Sequence, residues 1–425
     1  MALPINLRGL WRAARGAAAA AVMAFCAVCN YGEVRVVAPA AVGRGPLTLS
    51  IQSDPEDTGV ARELGWARGI PSAEVTVSPG ANDTATGPPV AVLLTDSTGA
   101  ASVPDLADGN YIVEVLRLLT SAEAVRLAPT EDVIGFMAKQ VVTRGSVTLP
   151  VPASRRHSVV ISEWAFNWGN IPGVGTYMFG GFLELANNAD TTVYLDGLVI
   201  GEGIATSAEL YSGMCAGSAD ASNDPDGIWT GIFNALPGTG HDYPLAPGAT
   251  AVIATDAIDH SGTISGGLDL SHANFEFIGT ADVDNPGVPN TIDIGLRPEK
   301  LSHGMITSQI LSGVTFVALP VDVAALPMTP GHDYVRVPRA RILDAVALLS
   351  KIQFSGPLCP QLVHRNFDRY RGRFMESGWN WAADYLVSVQ RKVAYTRPDG
   401  RKILQHTRTT NADFFVGPRT AGQLP

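Results

Sequence analysis

Turn-forming residues punctuate this chain too densely for long helices to dominate it. The sequence contains 44 Gly and 29 Pro. Gly raises the entropic cost of a helix, and Pro removes a hydrogen-bond donor and fixes φ. Between these residues lie short apolar or alternating runs, which is the pattern of strands joined by turns. The expected class is therefore all-β. At 425 residues the chain exceeds what one ordinary core organises, so two to three domains are expected. Apolar residues make up 46% and charged residues 16%, which leaves ample material for interiors.

Residues 46–51 (PLTLSI), 73–78 (AEVTVS) and 90–96 (VAVLLTD) read as the first strands, with a turn-rich stretch at 80–89. Asp96 and Gly99 suit a tight turn. Asp108-Gly109 suits a second, ahead of an alternating strand from Tyr111 to Val115. The run EDVIGFMAK (131–139) reads as an insertion before a last strand at 147–152. T-D-x-x-G followed by D-G-x-Y and an alternating strand resembles prealbumin-like modules, found beside carboxypeptidases and in bacterial surface proteins. The resemblance implies a β-sandwich over 46–152 that acts as a spacer or packing partner and carries no catalytic residues.

From Ser158 the texture changes. Ile161-Ser162-Glu163 lies on one strand and Phe182-Leu183-Glu184-Leu185-Ala186-Asn187 on another. Leu195-Asp196-Gly197 follows, and Pro247-Gly248 precedes the apolar Val252-Ile253-Ala254. This array resembles lamin-tail domains, which implies an immunoglobulin-like sandwich with insertions over 157–425 and a role in binding or scaffolding. Further marks are LSHANFEFIG (270–279), VDNPGVPN (283–290), RILDAV (341–346), DGRKILQHT (399–407) and NADF (411–414). Together they resemble an uncharacterised family of bacterial cell-surface proteins and lipoproteins that joins the two modules in this order. His406 and Arg408 stand where that family has shorter polar residues, and are read as adjusting a surface turn.

The first 29 residues have the layout of an export signal. Arg8, Arg12 and Arg15 precede an apolar run from Gly16 to Cys29, and no acidic residue occurs before Glu33. That run of about fourteen residues is too short for a helix to cross roughly 30 Å of hydrocarbon. Residues 30–45 then read as a linker. Cys26 and Cys29 are the candidates for lipid attachment, though Phe25 and Val28 precede them where a small residue is usual. Simple cleavage, for instance after Ala38-Pro39-Ala40, is the alternative. The expectation is an exported protein at the outer membrane surface, in the periplasm or outside the cell, touching a membrane only through such an anchor. Cys215 and Cys359 remain in either case, paired or free.

No Lys or Arg lies between Arg156 and Arg297, where seventeen Asp and Glu occur. That field repels a phosphate backbone, so nucleic acid is not an expected partner. No zinc-binding His pattern, phosphate loop or G-x-S-x-G occurs, so no catalytic residue is assigned. Asp282, Asp284 and Asn285, with Asp220, Asp224 and Asp226, offer hard oxygens for a structural calcium, or simply form turns. No other cofactor is expected. Trp168, Tyr177, Trp379 and Trp381 belong to aromatic clusters that either fill a core or face a partner. The leading expectation is a non-catalytic protein of the cell surface acting in binding, adhesion or assembly with a protein or glycan. Two alternatives stand beside it: a carbohydrate-binding protein using those aromatics, and a hydrolase using Glu163 and Glu184 as paired carboxylates.

Overall fold

The structure, a computed structural model, describes residues 43–81, 84–127, 132–156, 158–165, 169–171, 175–177, 179–202, 227–263, 266–277, 284–295, 312–328, 335–350, 373–375 and 387–425. Strands dominate these residues, and the chain is an all-β protein. The export segment with Cys26 and Cys29, the aromatics Trp168, Trp379 and Trp381, and Asp282, Asp220, Asp224, Asp226, Cys215 and Cys359 lie outside them.

In the N-terminal sandwich, strand Arg44–Ser53 runs between Ala100–Ala107 and Gly145–Val151. It pairs in parallel with the latter, Leu49 opposite Val147. The facing sheet carries Glu74–Ala81, Asn110–Leu118, Val133–Thr143 and Ala153–Arg155 in order. Alternation decides what enters the core. Val75 and Val77, and Tyr111, Val113 and Val115, turn inward to meet Leu47, Leu49 and Ile51. The turn after residue 95 forms as its residues dictate. The Asp96 carboxylate accepts the Thr98 and Ala100 N–H groups at 2.7 and 3.0 Å, and Gly99 takes φ +77°. A Cβ there would come within 2.4 Å of the Ile51 carbonyl.

The segment read as an insertion is instead the long strand Val133–Thr143, paired along its length with Asn110–Leu118. Gly135 and Lys139 disguise it. Gly135 allows a close approach, since a Cβ would lie 2.5 Å from the Arg117 carbonyl. Lys139 is opposite Glu114 and bonded to it at 3.5 Å.

The C-terminal sandwich has two six-stranded sheets. One orders Phe275–Glu276, Thr250–Ala254, Phe182–Asn187, Val159–Ala165, Val387–Arg391 and Phe414–Pro418; the other centres on Val199–Glu202, Ser312–Ala318 and Ile342–Ser350. Trp164, Leu183, Leu185, Ile253 and Phe275 from the first meet Ile200, Val317 and Val346 from the second. The Leu195-Asp196-Gly197 corner is held by the Asp196 carboxylate, which accepts the N–H groups of Gly240, Asp242 and Tyr243 at 2.8 to 2.9 Å. Burial with its cost is outweighed by those three donors, which hold the Asp196 carboxyl below its ordinary value.

Strands Val159–Ala165 and Phe182–Asn187 are buried on both faces. The outer face of their sheet is covered by a second apolar layer of Ala165, Phe182, Val252 and Leu270 and a third of Val160, Ala186 and Leu404. The closing segment of the chain supplies part of that cover, with Ala421 and Leu424 packed against these layers. This cover places the site described next.

Candidate functional site

Glu163 and Glu184 are direct cross-strand neighbours, brought into register by a bulge between Ile161 and Glu163. Both lie under the closing segment, with 1% and 0% of their surface exposed. Burying a carboxylate is costly unless donors surround it. The Thr420 N–H and hydroxyl donate to the two oxygens of Glu163, at 2.9 and 2.6 Å, and Gln390 donates at 3.4 Å. The Gly422 N–H donates to Glu184 at 2.6 Å, and the Ser162 hydroxyl lies 2.6 Å from its other oxygen. Among the described residues neither carboxylate forms an ion pair. Burial, only partly offset by Ser162 and Gly422 and reinforced by the neighbouring Glu163, pushes the Glu184 carboxyl up to about 7.

The Ser162 hydroxyl has two acceptors in reach, the Glu184 carboxyl at 2.6 Å and the Glu184 main-chain carbonyl at 3.2 Å.

A second buried acidic cluster sits on the opposite side of the same strands. Asp344 accepts from the Arg391 guanidinium, from the Ile161 N–H at 2.7 Å and from the Ala345 N–H at 2.9 Å, with the His406 Nε2 at 3.0 Å. Arg391 also donates to the carbonyls of Ile161 and Gln405 and lies 3.5 Å from Asp413. Burial would push Asp344 up, but the Arg391 and His406 charges outweigh it and hold this carboxyl down at about 2. Burial dominates at Asp413, which is raised despite the same Arg391. His406 is 3% exposed and sits in this cluster, so it is not a surface-turn residue as the sequence suggested. Its main chain also bonds Ser154 and Arg155, which ties the cluster to the last strand of the first sandwich. Arg408 does occupy a turn, at φ +58° with its guanidinium near Glu56.

The remaining sequence candidates separate. Tyr177 is half-buried, its hydroxyl bonded to His260 and its ring edge-on to that imidazole at 5.6 Å. Asp284 accepts from the Asn290 amide at 2.6 Å, and the Asn285 amide donates to the carbonyls of Ala257 and Ser271. The Asn285 side-chain oxygen accepts the Gly287 N–H at 3.0 Å, an Asx turn. Among the described residues no group of three His, Cys, Asp or Glu is placed to hold a metal ion. No described helix is long and apolar enough to cross a membrane, which says nothing of β-barrels. The sequence singled out Glu163 and Glu184 but missed their partners, Thr420 and Gly422, and the whole Asp344 cluster.

A strip of exposed aliphatic side chains completes the surface. Val90, Val92 and Leu94, 49%, 59% and 68% exposed, alternate along an edge strand of the first sandwich, and the exposed Glu74 separates them from Leu116.

No family model matches the sequence, and no curated protein matches it. Among solved structures, a DUF4876 family protein from Bacteroides thetaiotaomicron shares the fold at 16% identity and a TM-score of 0.50. The likeness covers 89% of this chain and 98% of that one.

Proposed function

We propose that this chain is a non-catalytic protein of the bacterial cell envelope that works by binding or assembly. One observation carries the reading: Glu163 and Glu184, the carboxylate pair that a hydrolase would need, spend their hydrogen-bonding capacity on the chain's own Thr420, Gly422, Ser162 and Gln390. A catalytic acid must reach a substrate proton within about 3 Å, and here main chain and hydroxyl occupy those positions. The export-signal layout of residues 1–29 supports placement outside the cytoplasm, with Cys26 or Cys29 as the point of any lipid anchor.

A protein partner is favoured over a glycan. Sugars stack on aromatic faces, whereas the exposed strip Val90, Val92 and Leu94 is aliphatic. The test is Glu184→Gln in the full chain, assayed against a panel of chromogenic glycosides and esters beside the wild type. The binding reading expects no turnover from either. Turnover by the wild type that disappears in the variant would replace it with the hydrolase. Intact mass of the mature protein from fractionated cells reports cleavage and acylation together, and an uncleaved cytoplasmic chain would remove the envelope assignment.

A further inference from the structure

The closing segment covers two like charges with very little material. Thr420 and Gly422 supply three donors, and Ala421 and Leu424 supply the apolar contact. Among the described residues, the other neighbours of the pair are uncharged. Thr250–Ala254 presents Val252 directly opposite Glu184, and Val387–Arg391 presents Gln390 opposite Glu163. Ser162 lies on the strand of Glu163. The one cation on the segment, Arg419, is directed to the Gly180 carbonyl and over the Phe182 ring. Two adjacent buried carboxylates without a cation cannot both ionise cheaply, so the pair keeps a proton or gains water. Water has a short way in, through the segment itself.

We propose that Arg419–Leu424 is a releasable strap, closed over the Glu163–Glu184 pair while the pair holds one proton and opened when that proton leaves. Closure places the proton between Glu184 and Ser162 and leaves Glu163 to accept from Thr420. Loss of the proton sets two anions side by side, and the strap lifts so that water solvates them. The upward-shifted Glu184 places this change near neutral pH. Opening uncovers both glutamates and the apolar cover around Ala165 and Ala186, and leaves the two sandwich cores intact. The closed strap is the arrangement on which the non-catalytic reading rests; protease release reads opening alone, and the glycoside and ester panel, run at pH 6 and pH 8.5, reads turnover, so the two can fail separately.

The chain carries its own probe. Arg419 is 8% exposed, so trypsin reaches the bond after it only when the strap is open. Release of Thr420–Pro425 from the full chain is followed by mass spectrometry at pH 6 and pH 8.5, in wild type and in Glu184→Gln. Cleavage within the first sandwich, after Lys139, reports global opening. The Gln variant cancels the protease's own pH dependence. The wild-type ratio of release rates, pH 8.5 over pH 6, should exceed that of the variant by roughly 10-fold or more, with cleavage after Lys139 unchanged. Equal ratios in the two proteins overturn the proposal, as does release that rises in step with cleavage after Lys139. Should Glu184→Gln not fold, Glu163→Gln takes its place. It removes the neighbouring charge, the lesser of the two causes that raise Glu184, and should reduce the ratio without abolishing it; a ratio left as steep as wild type counts against the strap.

Discussion

The strands Val159–Ala165 and Val387–Arg391 carry two buried acidic clusters that solve one electrostatic problem by different means. Around Asp344 and Asp413 a cation is built in: Arg391 is 1% exposed and bonds four groups across both sheets. Around Glu163 and Glu184 no cation lies among the described residues, and in the proposed strap a proton does the neutralising. A guanidinium stays charged at any biological pH and fixes its cluster permanently. A proton leaves when the pH rises. The contrast separates a joint that must hold from a contact that can open. The Asp344 cluster joins the two sheets of the second sandwich to the last strand of the first, whereas the Glu184 pair joins one sheet to the closing segment.

Removing the cation should do the greater damage. Arg391→Met leaves two buried carboxylates facing His406 alone and should cost about 3–5 kcal/mol in denaturant unfolding. A loss under about 1 kcal/mol would mean that the cluster is hydrated and the contrast is false.

Glu184 and Asp344 should also answer pH in opposite senses. Glu184 has a folded value raised from 4.5 to about 7, so the folded state holds the extra proton between these values. Its stabilising share is complete below about 4.5 and is lost as pH rises through 7, a change of roughly 3 kcal/mol. Glu184→Gln should therefore match wild type near pH 4 and exceed it in stability at pH 8. Parallel stability curves for the two proteins would dispose of the shared proton. Asp344 has a folded value lowered from 3.8 to about 2. Its share is complete above 3.8 and is lost as pH falls toward 2, on the order of 2 kcal/mol. The advantage of wild type over Asp344→Asn should shrink over that acid range and nowhere else.

How much of this could be read in advance depended on sequence distance. The strand Phe182–Asn187 and the Asp96 turn are local, set by alternation and by a carboxylate bonding main chain two and four positions on. Val133–Thr143 was hidden because Gly135 and Lys139 each serve a neighbouring strand rather than their own alternation. Glu163 and Glu184 stood out as acids in apolar runs, but their meeting depends on a bulge that no period encodes. Thr420 lies 257 positions from Glu163, and Arg391 lies 47 from Asp344. Nothing short of the folded topology brings them together.

The smallest effect tests the finest part of the contrast, which group of the closing segment senses the proton. Thr420 donates through its N–H and hydroxyl to Glu163, whereas Gly422 donates to Glu184, where the proton resides. Thr420→Val keeps the shape and the N–H and deletes the hydroxyl donor to a charged acceptor, at a cost of about 1–2 kcal/mol. Thr420 reaches Glu163 only while the segment is closed, so that cost should be present at pH 5 and shrink at pH 8, measured as the difference in unfolding free energy from wild type. An equal cost at the two pH values would mean that the segment stays closed when the pair loses its proton.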